Sequence, residues 1–352
     1  MLTYYQQAAQ FIRQHQTELA ETIVTRQYAR QGEIWKPFGF PGRGKSVRDE
    51  GYHLTYLAEA LTAADPVLFI EYLAWAKVLF AGLKFPDEVL PVTLEITRQV
   101  LAETCPVELQ AAAVEYLDLG LQSLPGAPTT LKSFIAQDNP LEGLVQHYIA
   151  VLLRGARRSA SKMVLDAVQQ GIPIQSIYLH VFQPSQQEIG RLWQSNQISV
   201  AQEHFCTAAT QLVMSQLYPS IFASAKKGRH LVATCVSGEL HEIGARMVAD
   251  FFEMDGWDTY FLGANTPLDS VLRTVAEREA DILAISATMT FHVSKVTELI
   301  YALRQAGLDG RTKVLVGGYP FNIAPELWKM VGADGTASDA QQALKTAAGL
   351  LA

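Results

Sequence analysis

The chain has 352 residues, of which 49% are hydrophobic and 18% charged, so it can bury a sizeable core and is not expected to be disordered. A formal net charge of -7 disfavours a nucleic-acid surface along the whole chain. Cys105, Cys206 and Cys235 form no CxxC pair, so neither a zinc ribbon nor a disulfide framework is indicated. Because the sequence shows no signal peptide and no apolar run of roughly 18 residues, we expect a cytoplasmic protein.

Residues 1–125 predict an all-α N-terminal domain. Apolar residues recur at helical spacing in stretches such as "FIRQHQTELAETIVTRQYAR" and "PVLFIEYLAWAKVLFAGLKF". Between the first two helical stretches, "WKPFGFPGRGKSVRDE" is rich in Gly and Pro and is locally basic, which predicts a long loop. "PGAPTT", at 125–130, has the composition of a linker to the next domain.

Residues 131–225 predict a four-helix bundle, because four helical stretches follow one another with short connections. From 229 the pattern changes to short apolar runs, each followed by a helical stretch. The runs are "HLVATCV", "WDTYFLG", "DILAISAT" and "KVLVGGY". Strands that are apolar on both faces and alternate with helices indicate a parallel sheet covered on both sides. Residues 229–352 are therefore expected to form an α/β, Rossmann-like (flavodoxin-like) domain.

Ligands of such sheets bind at the carboxyl ends of the strands. Here the strands end in "SGELHEIG", "LGANTP", "SATMT" and "VGGYP", which are small, Gly-rich or hydroxylated segments. The first lacks the G-x-G-x-x-G of a dinucleotide site, and a histidine stands where a pyrophosphate needs bare backbone. It is not a P-loop either. These ends predict that a large ligand other than a dinucleotide lies across this edge.

The order E-x-H-x-x-G, S-x-T and G-G resembles the signature of cobalamin-binding Rossmann domains, as in methionine synthase and the mutases. The resemblance covers residues 229–352 and implies that the dimethylbenzimidazole tail of the cofactor leaves cobalt and inserts into the sheet edge. His241 would then be the lower axial ligand of cobalt, with Glu239 holding its other ring nitrogen. Glu239 stands where the family has Asp. The remaining cofactor-binding positions that the resemblance implies are Gly244, Ser286, Thr288, Gly317 and Gly318, with Ser286 bonding the tail base and the two glycines leaving it room. The alternative is that His241 is an ordinary surface or capping residue.

The bundle contains "LWQSNQISVAQEHFCTAAT", in which nine residues separate Trp193 from Glu203 and His204. This W-x9-E-H pattern resembles the capping bundle of the CarH-like, adenosylcobalamin-dependent photoreceptors. The resemblance implies that Trp193 lines the pocket of the 5′-deoxyadenosyl group, that Glu203 contacts this group, and that His204 captures cobalt once light breaks the cobalt–carbon bond. The alternative is a core tryptophan beside a polar helix face. No N-terminal helix-turn-helix of the MerR type is recognisable, so direct DNA binding is disfavoured.

A helical module of about 125 residues ahead of a W-x9-E-H unit resembles the photocobilins, which pair cobalamin with biliverdin. The resemblance implies that the N-terminal domain binds a bilin, and the absence of a suitably placed cysteine favours non-covalent binding. Cationic side chains would pair with the bilin propionates, and His53 would bond its pyrrole nitrogens or carbonyls. Haem on His53 is an alternative without a supporting motif. The residues expected at this second site are Arg43, Lys45, Arg48, Tyr52 and His53.

Together these patterns predict a light-sensing signalling protein, not an enzyme, that binds adenosylcobalamin and biliverdin and changes conformation or oligomeric state. We expect its signal to leave through a homo-oligomer or a separate output protein, because no kinase, cyclase or DNA-binding signature is present. Two alternatives stay open. One is a corrinoid methyl carrier that works with a methyltransferase, and the other is a cobalamin-binding module without photochemistry.

Overall fold

The structure, a computed structural model, describes residues 2–352 and divides them into two compact units. The first unit consists of the residues up to Thr129 together with Thr288–Glu298 and Tyr319–Val331. The second consists of Thr130–Ala287, Leu299–Gly318 and Gly332–Ala352. In the part of the chain that is described, no helix combines the length and the apolar character needed to cross a membrane.

The first unit is helical, as the sequence predicts. Its N-terminal helices are α1 (Tyr4–Gln14), α2 (Gln16–Arg30), α3 (Gly32–Trp35), α4 (Gly39–Thr62), α5 (Val67–Gly82), α6 (Val89–Thr104) and α7 (Val107–Ser123).

The predicted loop between the first helices is wrong, because most of it forms the start of α4. Pro41 lies in the first turn of α4, where a missing N–H costs no hydrogen bond. Gly42 has a packing reason, since a Cβ there would lie 2.3 Å from the Cβ of Phe38. The Gly and Pro content therefore predicted a loop, although Gly42 lies in a helix and allows close packing against Phe38.

The two distant segments of the first unit pack onto α4 and α5. Phe291 meets the ring of Tyr56 edge-on, with the centroids 5.1 Å apart. The buried carboxylate of Glu59 accepts a hydrogen bond from the backbone N–H of Ser294. Tyr319 donates its hydroxyl to Glu71 at 3.2 Å. These residues follow the third and fourth strands in sequence, so the first unit is built from three separate stretches of chain.

The second unit begins with a helical bundle. Its helices are α8 (Glu142–Leu153), α9 (Arg157–Gln169), α10 (Ile174–Ile177), α11 (Gln183–Gln194), α12 (Val200–Gln216) and α13 (Tyr218–Ile221), with a π-helical turn, Tyr178–Phe182, joining α10 to α11. The bundle core is apolar, with Tyr148, Tyr178 and Phe182 as its largest fully buried side chains. This confirms the predicted bundle, although its first helix begins at Glu142 and not near 131.

An α/β domain follows the bundle. Its elements are β1 (His230–Cys235), α14 (Ile243–Met254), β2 (Asp258–Gly263), α15 (Leu268–Glu277), β3 (Ile282–Ser286), α16 (Val293–Gln305), β4 (Lys313–Gly317), α17 (Tyr319–Ile323), α18 (Leu327–Met330), β5 (Gly335–Ala337) and α19 (Ala340–Leu350).

Among residues 2–352, five strands form one parallel sheet in the order β2-β1-β3-β4-β5. The three central strands, β1, β3 and β4, are buried on both faces, whereas edge strand β2 is partly exposed, and this arrangement confirms the Rossmann-like fold class. The register sets Cys235 opposite Ser286, and Ser286 opposite Gly317. The carboxyl ends of the three central strands therefore lie side by side, with β1 leading into the loop that carries His241.

Helix α14 joins the sheet to the bundle within the second unit. Its residues Met247 and Phe251 are part of the bundle core. Asp250, on the same helix, accepts a 2.6 Å hydrogen bond from the hydroxyl of Tyr178. The guanidinium of Arg246 lies 5.1 Å from the ring centroid of Tyr218. Because α14 begins two residues after His241, this contact surface fixes the bundle next to the strand-end loop.

Candidate functional site

His241 lies on the loop between β1 and α14, with 58% of its side chain exposed. Its ring nitrogen Nδ1 is 2.6 Å from Oε1 of Glu239, and its backbone N–H donates to the same oxygen at 3.0 Å. The side chain of Glu239 is fully buried. A buried carboxylate that accepts from Nδ1 fixes the tautomer and leaves Nε2, across the ring, as the metal-binding atom.

The electrostatic surroundings of His241 favour its protonated form. The hydrogen bond to Glu239 raises the pKa of the imidazole most, partial burial lowers it, and the negative charges of Glu239 and Glu203 raise it further. The net shift is upward from the usual histidine pKa. The influence of Glu203 also shows that the start of α12 lies within electrostatic range of His241.

The start of α12 follows from a capping box. Ser199 accepts from the backbone N–H of Gln202, and the side chain of Gln202 accepts in return from the N–H of Ser199. The box begins the helix just before Glu203 and His204. Oε2 of Glu203 lies 2.5 Å from Nδ1 of His204, and its Oε1 accepts from the hydroxyl of Thr207 at 3.0 Å.

The resulting arrangement places a carboxylate–imidazole pair at the bundle side of the site. The side chain of His204 is 75% exposed, whereas that of Glu203 is 26% exposed. Trp193 is half-buried in the last turn of α11, one short turn before α12. The predicted residues of the bundle thus lie on two consecutive helix ends, and Glu203 links them electrostatically to His241.

The glycines at the strand ends have packing reasons that fit the predicted site. Gly318 has φ +107°, and a Cβ there would lie 2.0 Å from the carbonyl oxygen of Ala287. A Cβ at Gly317 would lie 3.1 Å from the carbonyl oxygen of Ala337. Gly244 differs, because a Cβ there meets nothing within 4 Å. The protein itself therefore leaves room for a side chain at Gly244.

The two remaining predicted residues at the end of β3, Ser286 and Thr288, belong to different units. Ser286 is half-buried at the end of β3, in register with Cys235 and Gly317. Burial raises the pKa of the Cys235 thiol to about 12, so this residue is a small buried side chain and not a reactive thiol. Thr288 falls in the first unit, with the segment that packs on α4.

The five residues predicted to hold a bilin lie along α4 and do not share one face. Arg43 pairs with Glu21 at 2.8 Å, and Arg48 lies 3.9 Å from Asp49. Lys45 and Tyr52 are exposed. Residues two apart on a helix point away from each other, so Arg43 and Lys45 do not converge.

His53 lies in the interior of the first unit. Its Nδ1 is 2.7 Å from the hydroxyl of Tyr72, and burial lowers its pKa to about 4. One turn earlier, burial raises the pKa of Glu50 to about 8, although a hydrogen bond from Thr97 partly offsets this. The sequence does not single out Glu50, because its neighbours in the chain are polar. Its spacing of three residues from His53 places both side chains on one face of a helix, and that spacing could have indicated a shared environment.

Two family models, each described as a B12 binding domain, match the chain from the bundle onward. One matches residues 229–345 and the other residues 144–218. Over residues 2–352, no group of three or more His, Cys, Asp or Glu side chains is arranged to hold a metal ion.

Curated relatives are corrinoid proteins of methanogens. Dimethylamine corrinoid protein 3 of Methanosarcina mazei is 31% identical over 140 residues, which is 40% of this chain and 81% of the relative. Its namesake from Methanosarcina acetivorans is 26% identical over 216 residues, 60% of this chain and 98% of the relative. The solved structure of the Methanosarcina barkeri monomethylamine corrinoid protein is similar in fold, with a TM-score of 0.54 and 21% identity over 60% of this chain and 99% of that one.

Proposed function

The chain belongs to the B12-binding corrinoid proteins, and on that premise we propose that it holds a corrinoid above the loop of His241 and carries an alkyl group on cobalt. The observation that carries this proposal is the buried carboxylate of Glu239, 2.6 Å from Nδ1 of His241. It orients the exposed ring so that Nε2 is the cobalt ligand. His241 holds the cofactor, and the glycines at the end of β4 leave the backbone close to the sheet edge.

We place a corrinoid methyl carrier first. The relatives named for dimethylamine support it, since this amine carries methyl groups that can be passed to another acceptor. When bound, the corrinoid supplies a cobalt–carbon bond that is made and broken by methyl transfer or, in its adenosyl form, broken by light. The chain itself orients the cofactor and needs a partner methyltransferase, so we propose that it is not an enzyme when alone.

A light sensor that uses adenosylcobalamin is the second candidate, and one observation favours it. Glu203 and His204 form a hydrogen-bonded polar pair beside the half-buried Trp193. A carboxylate and an aromatic wall suit a nucleoside, which has ribose hydroxyls and an apolar face. On this hypothesis Glu203 would contact the ribose, and His204 would be the residue placed to bind cobalt in the absence of the adenosyl group.

One set of titrations separates the two candidates. The cofactor-free protein is mixed in the dark with hydroxo-, methyl- or adenosylcobalamin, and binding is followed by absorbance and gel filtration before and after green light. Tighter binding of methylcobalamin, with the same elution volume in light and dark, supports the carrier. Preference for adenosylcobalamin with a light-dependent elution volume supports the sensor. If His241→Ala binds all three as tightly as the wild type, the proposed site is wrong.

Biliverdin binding by the first unit stays a prediction. Its test is co-expression with a haem oxygenase, followed by a spectrum of the purified protein. Far-red absorbance that is lost in His53→Ala supports a bilin near this ring. A protein without visible absorbance contradicts it.

A further inference from the structure

Glu242, the residue after His241, makes two hydrogen bonds to two different elements. Its Oε1 accepts from the side-chain amide of Gln211, on bundle helix α12, at 2.6 Å. Its Oε2 accepts from the backbone N–H of Ala264, just after β2, at 2.9 Å. One side chain therefore ties the loop of His241 to the bundle and to a neighbouring strand end.

The turn after β2 is shaped to reach this loop. Gly263 has φ +80°, and a Cβ there would lie 3.0 Å from Oε2 of Glu242. Asn265 has φ +50°, and its side chain accepts from the N–H of Gly238 at 2.7 Å. Its own N–H donates to the carbonyl of Glu239 at 2.9 Å. A left-handed backbone at Asn costs some free energy, and here it is held by bonds to two adjacent residues of the loop that carries His241.

Gln211, the bundle partner of Glu242, lies on the same helix as Glu203, the residue proposed to face the upper side of the corrin. Glu203, Thr207 and Gln211 are four residues apart on α12 and share one face. Glu203 is within electrostatic range of His241, and Gln211 bonds Glu242. Because α12 is a continuous helix over Val200–Gln216, a shift of its first turn is carried to Gln211.

We propose that Glu242 is a positioning residue that couples bundle helix α12 to the cobalt-ligand loop, so that occupancy above the corrin alters ligation by His241 below it. The inference rests on the proposed cofactor site. Such coupling requires a contact that can be either formed or broken. The Gln211–Glu242 bond can break while Asn265 still holds the loop. Through the Gln211–Glu242 bond, the position of helix α12 would influence ligation by His241.

The test uses the full chain, labelled with 15N-histidine and loaded with cob(II)alamin. A coordinated 15N imidazole splits the electron paramagnetic resonance lines into doublets, whereas the 14N of the benzimidazole tail would give triplets. We expect Gln211→Ala and Glu242→Ala each to lower the ratio of His-ligated to unligated cobalt roughly 10-fold, as is usual when a residue supporting a metal ligand is removed. The swapped pair, Gln211→Glu with Glu242→Gln, keeps an amide facing a carboxylate and an acceptor for Ala264, so it should restore ligation. Gln211→Glu alone, which sets two carboxylates against each other, should not.

The matched control is Glu253→Gln, which alters a buried carboxylate near the other end of α14. Glu253 bonds Lys226 and Thr259, eleven residues beyond Glu242. Its substitution should lower thermal stability and leave the nitrogen splitting unchanged. Loss of splitting in this control as well would mean that general loosening of α14 explains the effect, and would overturn the proposal.

A second measurement does not need the cofactor. In the cofactor-free protein, Gln211→Ala should speed backbone hydrogen exchange at residues 237–242 and leave the exchange of β3 unchanged. Unchanged exchange at the loop overturns the coupling. A wild-type protein that binds cobalamin without nitrogen splitting overturns the proposed site instead, so the two failures are distinguishable.

Discussion

As the proposed cobalt ligand, His241 would bind through a neutral ring nitrogen, yet Glu239 and Glu203 both favour the charged imidazole. Glu239 orients the imidazole and raises its pKa by the same hydrogen bond. Because the folded pKa lies above the unfolded value, protonated His241 adds stability at low pH that is lost as pH rises through the folded pKa. Ligation of cobalt by the proposed site should change in the opposite direction and strengthen as pH rises, because only the neutral imidazole can bind the metal.

This balance predicts the effect of Glu239→Gln. In the cofactor-free wild type, the His241 ring should titrate above its ordinary value of about 6.5, and the substitution should move the midpoint to lower pH. Nuclear magnetic resonance of the imidazole protons measures both, with His241→Ala identifying the signal. Identical midpoints in the two proteins would show that Glu239 does not control the ring.

At the scale of elements, the two glycine motifs have different origins. Gly318→Ala places a Cβ against the backbone of Ala287 at a positive φ, so we expect a loss of about 3 kcal/mol in unfolding free energy. Gly244→Ala meets open space at the first turn of α14 and should change stability by less than about 1 kcal/mol, while weakening cobalamin binding. Denaturant unfolding and a cobalamin titration separate the effects. A stable Gly318→Ala protein would contradict the strand-end geometry.

The contact between α14 and the bundle is sensitive to pH. Burial raises the pKa of Asp250 from 3.8 to about 6, so the folded state takes up a proton more readily than the unfolded chain. Asp250→Asn should therefore be more stable than the wild type above pH 6, by roughly 3 kcal/mol, and the gap should close towards pH 4. Denaturant unfolding across this range checks it. A less stable variant at pH 8 would mean that Arg246 and Tyr178 stabilise the anion.

Sequence patterns predicted the four longer strands because buried parallel strands are short, apolar and bounded by small residues. They missed β5, since Gly335–Ala337 has three residues and no apolar run. They placed a loop in α4 because composition does not show that Gly42 packs against Phe38. His241 and Glu239 were predictable from a motif of fixed spacing. The partners of Glu242 were not, because Gln211 and Ala264 are brought to it only by the fold.

At the scale of the whole molecule, the first unit also includes Thr288–Glu298 and Tyr319–Val331, two segments that the sequence assigns to the α/β domain. Phe291 and Tyr319 belong to the first unit, with Tyr56 and Glu71 as their partners. Deleting residues 1–129 would expose these aromatic rings and leave their segments without partners. The boundaries that the sequence predicts stay a prediction, and the contacts indicate how to test them.

We expect the fragment 130–352 to unfold at a lower temperature than the second unit of the intact chain and to self-associate. Differential scanning calorimetry and light scattering measure this. Replacing Phe291 and Tyr319 by serine in the fragment should reduce the association. A fragment that is monomeric and as stable as the intact chain would show that the two segments fold without the N-terminal helices.

The dispersed make-up of the first unit has a consequence during protein synthesis. Residues up to Thr129 leave the ribosome long before Ser294 and Tyr319 exist. Until then the carboxylate of Glu59 lacks its backbone donor and the ring of Tyr56 lacks Phe291. Folding of the N-terminal helices can start early, but it is completed only after most of the α/β domain has been translated. Each finished helical unit therefore marks a chain whose cofactor domain has also been made.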